Sequence, residues 1–290
     1  MHLASTLDDV AGRFAGVLTR VEKVSSAPVL RPLGVGEILD VAFAVYRRHA
    51  LSLWKLVAVV VALPAALDGM VGVAERQVRD SSSSSSGSLA LLQLLVLVVS
   101  VIASFLATAA AYRLVADAYL GRAVDPGASL RFGLKGVGSV IWVSVLAGLG
   151  IFVGLLLLVV PGVYLAVAWS IAIPVLLGEN LRGRAALSRS RALVRGRFWP
   201  CAGVLFLSFL LAGIVALAIE FVVLGITGSS ENDTVIFFTQ GISSLISSTL
   251  VLPFQVAVTT VLYIDLRVRK EGFDIQLLAH SLEPGGAAET

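Results

Sequence analysis

An all-α, polytopic membrane protein with six transmembrane helices is the fold that this sequence predicts. Three observations predict it. Six long apolar stretches recur along its 290 residues. Only 14% of the residues are charged, where a soluble domain carries about 25%. Arginine and lysine are sorted to alternate connections between the stretches, as the positive-inside rule requires.

A spanning helix needs about 20 mostly apolar residues. The sequence predicts spans at 52–73, 89–112, 138–160, 162–178, 199–226 and 235–264. The third and fourth are divided at Pro161-Gly162, a helix breaker and tight turn, because residues 138–178 are too many for one crossing. Before the first span, Thr6-Leu7-Asp8-Asp9 reads as a helix start with an acidic first turn. Leu7, Val10, Phe14, Val17, Leu18 and Val21 follow at helical spacing. A second amphipathic helix is expected from Gly36 to His49, with Ile38, Leu39, Val41, Phe43, Val45 and Tyr46 on a wide apolar arc. Such helices suit the plane of the lipid headgroups. The six serines at 81–86 read as a hydrated linker.

Of the 22 basic residues, 19 fall in the segment before span one, the connections after spans two and four, and the segment after span six. Lys55 lies at the start of span one, and only Arg76 and Arg79 lie in the opposite connections. Both termini are therefore expected in the cytoplasm of a bacterial inner membrane. The excess of arginine over lysine, with abundant Ala, Val and Gly, suits a GC-rich bacterial genome. The organisation expected is an N-terminal amphipathic helix and linker (1–29), a six-span membrane domain (30–276) and a C-terminal tail (277–290). A short basic segment ending in a tryptophan precedes spans one, three and five (Glu37 to Trp54, Ala128 to Trp142, Arg184 to Trp199). This suggests three degenerate repeats of a cytoplasmic interfacial helix and a helix hairpin.

Four stretches resemble one family. They are Leu30-Arg31-Pro32-Leu33-Gly34-Val35-Gly36-Glu37-Ile38-Leu39-Asp40 with Tyr46-Arg47-Arg48-His49; Pro161-Gly162-Val163-Tyr164 with Trp169 and Pro174; Arg191 to Trp199; and Leu262 to Asp274. Together they are similar to the bacterial glycerophosphoryl diester phosphodiesterase membrane-domain proteins, over roughly residues 30–276. The resemblance implies the fold and the membrane location. It does not extend to catalysis: the phosphodiesterase domain of some relatives uses a His-Arg-Gly motif, clustered acids and a divalent metal. The histidines here are His2, His49 and His280, and His49 is followed by Ala50-Leu51. No cofactor or metal site is expected, and an enzyme is not the favoured class. Cys201 is the sole cysteine, so no intrachain disulfide forms.

Two sets of residues are candidates for contact with a ligand. Arg184, Arg191 and Arg195 align at i, i+7 and i+11 on a helix. Anionic phospholipid headgroups attract such residues by about 1 kcal/mol each; adhesion and topology are the blander role of the same charges. Nucleic acid is not an expected partner, since the segment lacks a recognition fold. Inside the membrane, Glu220 is read as the only acid well within a span, and ionisable residues there are functional candidates. Span six is unusually polar, with Ser244, Ser248 and Gln255 as candidate partners; close helix packing is the alternative role of its hydroxyls. Pro174 and Pro253 are placed to kink spans four and six. Gly150 and Gly154 allow a close helix approach, more simply inside the protein than between copies. Asp117 and Asp265, near Arg113 and Arg267 at the cytoplasmic ends of spans two and six, are expected to make ion pairs or helix-end contacts with the basic interfacial helices.

Three function classes remain open. A lipid-interacting accessory or scaffold domain comes first, and a dry bundle would favour it. A transporter or lipid-translocating domain would show a polar cavity lined by span six. A membrane enzyme acting on lipid phosphate would show acids or histidines clustered beside that cavity.

Overall fold

A computed structural model describes residues 32–80, 86–227 and 232–272. The amphipathic helix expected at Leu7 to Val21, the serines of 81–85 and the tail of 277–290 lie outside these residues. Every regular element among the described residues is helical: α1 Val35–Arg48, α2 Ala50–Asp80, α3 Ser86–Tyr119, α4 Pro126–Leu157, α5 Val159–Ala168, α6 Ala172–Glu179, α7 Arg184–Val194, α8 Phe198–Thr227 and α9 Asp233–Glu271. Six segments are long and apolar enough to cross a membrane: Ala50–Glu75, Gly87–Tyr119, Pro126–Leu157, Val159–Glu179, Phe198–Ile226 and Asp233–Glu271. The protein is an all-α, polytopic membrane protein. Phe206, Phe209, Leu217 and Phe221 on α8 are exposed, a face that hydrocarbon solvates and water does not.

Residues Leu33–Tyr263 form one compact unit, and the described part of a second comprises Pro32 and Ile264 onward. In the latter, the last turns of α9 carry Arg269–Asp265 and Arg267–Glu271 ion pairs of 2.8 and 3.2 Å, both i,i+4. Gly272, with φ +58°, follows the helix end, as a left-handed capping glycine does.

Prolines sit where helices begin. Pro126 opens α4 beneath Asp125, whose carboxylate accepts the Gly127 N–H at 2.8 Å. Pro161 and Pro174 lie in the first turns of α5 and α6, where a missing N–H costs no helix bond. The turn between spans three and four therefore falls at extended Leu158 (φ −161°, ψ 145°), earlier than the expected Pro161-Gly162. Span four itself is interrupted at Trp169–Ile171, just ahead of Pro174.

The segment Ala128 to Trp142 is not a separate interfacial helix. It is the first half of a continuous α4. Its glycines serve packing: a Cβ on Gly133 would lie 3.0 Å from the Ala110 backbone N. Of the three suggested repeats, the first and third have a distinct short helix, α1 or α7, before the span, and the middle one does not. Gly183 (φ +55°) and Gly196 (φ +85°) bracket α7 and give the chain its sharp entry and exit.

The α4–α5 hairpin is tight because both helices offer glycine. A Cβ on Gly150 would meet the Trp169 ring at 2.5 Å, and one on Gly154 would come within 3.0 Å of the Gly162 Cα. The Gly150/Gly154 pair is thus used inside the protein. Helix α1 buries Ile38, Leu39 and Ala42 and leaves Phe43 exposed. Tyr46 anchors it: the Trp54 indole N–H donates to its Oη at 2.9 Å, and that hydroxyl donates to the Leu250 carbonyl at 3.2 Å. Burial raises the Tyr46 pKa above the usual phenol value, and the bond from Trp54 opposes part of that shift.

Candidate functional site

A cavity of about 380 Å³ opens between α2, α8 and α9. Its size falls in the range of small-molecule sites, about 300–1,000 Å³. Helix α2 contributes Asp68, Val71, Gly72 and Glu75; α8 contributes Glu220; α9 contributes Gln240, Ser243, Ser244, Ser247 and Ser248. Three carboxylates and four hydroxyls therefore share one space in an apolar bundle. Among the described residues that line it there is no lysine or arginine.

The helix register builds this wall. The α9 serines at 243, 244, 247 and 248 follow the i, i+1, i+4, i+5 pattern of one helix face. Residues 68, 71, 72 and 75 of α2 make the matching i, i+3, i+4, i+7 stripe. A glycine seam holds the two helices together next to the cavity. A Cβ on Gly69 would lie 2.5 Å from the Phe237 carbonyl oxygen, and one on Gly241 would lie 2.9 Å from the Ala65 carbonyl oxygen. Backbone contact at that seam leaves the neighbouring polar side chains facing each other across the cavity.

Within it, the Ser244 hydroxyl donates to Asp68 Oδ2. The Gln93 amide donates to Glu75 Oε1 at 3.0 Å. Glu220 is exposed at the third wall. Close by on α9, the Thr249 hydroxyl is buried with no hydrogen-bond partner. Among the described residues no three His, Cys, Asp or Glu side chains converge closely enough to hold a metal ion. Asp68 and Glu75 stand two turns apart on α2 and Glu220 stands on α8, around a space larger than one ion.

Of the intramembrane candidates, Glu220, Ser244 and Ser248 come together at this cavity. Gln255 does not join them. Its amide donates to the Ser208 carbonyl at 3.0 Å, and its Oε1 accepts from the Ser208 hydroxyl at 3.2 Å, a reciprocal clamp between α8 and α9. Glu220 is also not alone as an acid within a span, because Asp68 lies inside Ala50–Glu75. Asp68 was visible in the sequence five residues from the end of the predicted first span. Its signal was an acid set in an otherwise apolar run, Val71 and Met70 beyond it and Pro64-Ala65-Ala66-Leu67 before it.

The arginine candidates lie elsewhere. Helix α7 buries Ala186, Leu187, Ser190, Leu193 and Val194, and Arg184, Arg191 and Arg195 are exposed on its other side. The Ser190 hydroxyl donates to the Ala168 carbonyl at 2.8 Å, holding α7 to the end of α5. Arg189 is engaged internally: its guanidinium donates to both oxygens of Glu179, at 2.7 and 3.2 Å. Tyr263 adds a third bond to Glu179 Oε1 at 3.2 Å. Asp117 pairs with Arg113, one turn before it on α3, at 2.7 Å and with Arg122 in the following connection at 3.8 Å, bases of its own helix end rather than of an interfacial helix. Asp265 pairs with Arg269.

The sequence profile of a family described as a domain of unknown function, DUF8558, matches residues 134–284, just over half of the chain. The chain belongs to that family. No curated protein and no solved structure matches it. The DUF8558 region contains α7, α8 and α9, and so two of the three cavity walls. Helix α2, which brings Asp68 and Glu75, precedes it.

Proposed function

We infer that this protein binds a small cationic solute, or a cationic headgroup, in the α2–α8–α9 cavity and moves it across the membrane. The observation that carries this reading is the lining: Asp68, Glu75 and Glu220 with the hydroxyls of Ser243, Ser244, Ser247 and Ser248, and no base among the described lining residues. Carboxylates in a low-dielectric wall attract cations strongly and repel phosphate. A polar cavity along span six is the feature that separates a transporter or lipid-translocating domain from a dry scaffold. The three acids also meet one expectation for an enzyme acting on lipid phosphate. Their sign favours a cation over a phosphate ester.

The setting belongs to the same reading: a bacterial inner membrane, both termini cytoplasmic, the cavity near the outer face. It is supported by the segregation of 19 of 22 basic residues and by the resemblance to the glycerophosphoryl diester phosphodiesterase membrane-domain proteins. Reconstitution into liposomes tests the function. Radiolabelled ethanolamine, choline and spermidine serve as probes. At least one should accumulate above protein-free liposomes, and Asp68→Asn should abolish that uptake. Equal uptake with and without protein for all three would overturn the translocation reading.

A further inference from the structure

The arginines of α7 and its C-cap differ in exposure. Arg189 is spent on Glu179. Arg184, Arg191 and Arg195 are exposed along one stripe, and the sequence holds no Asp or Glu between Glu179 and Glu220. Arg191 is held differently from the others. Its guanidinium lies over the Tyr164 ring of α5, 5.7 Å from the centroid. Tyr164 stacks on Phe198 of α8 with centroids 5.5 Å apart and planes at 21°. Phe198 in turn meets Trp199 edge-on, also at 5.5 Å. Three helices thus contribute to a ladder of one cation and three rings.

The ladder ends in exposed apolar surface. Trp199 is 81% exposed, and Val160, one helical turn before Tyr164, is 79% exposed. A guanidinium lying on a ring keeps its in-plane N–H groups available, in the fork that matches two phosphate oxygens. A soluble phosphate would need the fork alone. An amphiphile needs the fork and the apolar ledge beside it, and tryptophan belongs at that boundary.

We propose that Arg191, backed by Tyr164, Phe198 and Trp199, is a binding site for the phosphate headgroup of an anionic membrane phospholipid, with Arg184 and Arg195 adding attraction along the same stripe. This site is separate from the cavity and stands without it.

Native mass spectrometry of the purified full chain, titrated with phosphatidylglycerol and with phosphatidylcholine, tests the proposal. Phosphatidylglycerol should be retained preferentially. Arg191→Gln should lower its apparent affinity about fivefold. Arg191→Lys should recover part of that loss, since charge returns without the fork. Tyr164→Leu keeps an apolar side chain and removes the ring, and should weaken retention by a smaller factor. Arg131→Gln, an exposed base on α4, should leave it unchanged. Unaltered phosphatidylglycerol retention in a folded Arg191→Gln protein would overturn the site. So would equal displacement of the lipid by glycerol phosphate, which lacks acyl chains. If Arg191→Gln fails to fold, unaltered retention in Tyr164→Leu would overturn it equally.

Discussion

Glu179 and Asp68 are both acids within membrane-spanning segments, and the protein treats them in opposite ways. Glu179 receives two bonds from Arg189 and one from Tyr263. Asp68 receives a serine hydroxyl and faces a space that holds two further carboxylates. Removing charge from water is costly unless charge and hydrogen bonds are both matched. At Glu179 they are matched, so the acid fastens α6 to α7 and to α9. Among the described residues lining the cavity the charges have one sign, and in the proposed function a ligand cation balances them. The role of an intramembrane acid thus follows from what is arranged around it.

The largest effect of substitution is expected where the cavity meets its glycine seam. Gly69→Val places branched carbon against the Phe237 carbonyl, already 2.5 Å from an ideal Cβ. Overpacking of this kind costs about 1–3 kcal/mol or more. The α2–α9 contact should part, with loss of monodisperse protein on size-exclusion chromatography. Normal elution and unchanged thermal unfolding would show that the helices are not held at this seam.

At the locked end, Arg189→Met leaves Glu179 without its ionic partner. Breaking a buried pair costs about 3–5 kcal/mol, and the partial exposure of this one reduces the figure to about 2 kcal/mol. At the open end, Asp68→Asn and Glu220→Gln should each change stability by less than about 0.5 kcal/mol, as substitutions outside a matched network do. Thermal unfolding in detergent compares the three. If Asp68→Asn destabilises as much as Arg189→Met, the two ends are alike and the distinction fails.

Smaller again is the effect of Ser208→Ala, which removes the hydroxyl that donates to Gln255 and leaves its bond to the backbone carbonyl. Interhelical hydrogen bonds of this kind are worth about 0.6 kcal/mol in membranes. The loss should appear in unfolding and leave cation uptake intact. Reduced uptake without reduced stability would bring Gln255 into the functional path.

The spans were legible because hydropathy and arginine placement act locally along the chain. The turn at Leu158 was less so, because Pro161 reads as a breaker from either side although it belongs inside the first turn of α5. The segment Ala128 to Trp142 read as a separate interfacial helix; Ala110 and Leu177 packed against Gly133 and Gly136 show why α4 is continuous there. Glu220, Ser244 and Ser248 were legible as polar residues in apolar runs. Their meeting with Asp68 was not, because it depends on α2 and α9 touching at Gly69 and Gly241, which lie 172 positions apart in the sequence. Gln255 carried the same polar signal as Ser248, and only the structure shows that Ser208 satisfies it.

The central claim is that the cavity is open and attracts cations. It is tested most directly by charge-selective thiol labelling of Ser247→Cys in a Cys201→Ala background. A trimethylammonium methanethiosulfonate reagent should react about tenfold faster than its sulfonate counterpart, as focusing by walls of one sign predicts. Adding Asp68→Asn and Glu220→Gln should bring the two rates together. Equal rates before those changes, faster labelling by the anionic reagent, or no labelling by either would contradict the account.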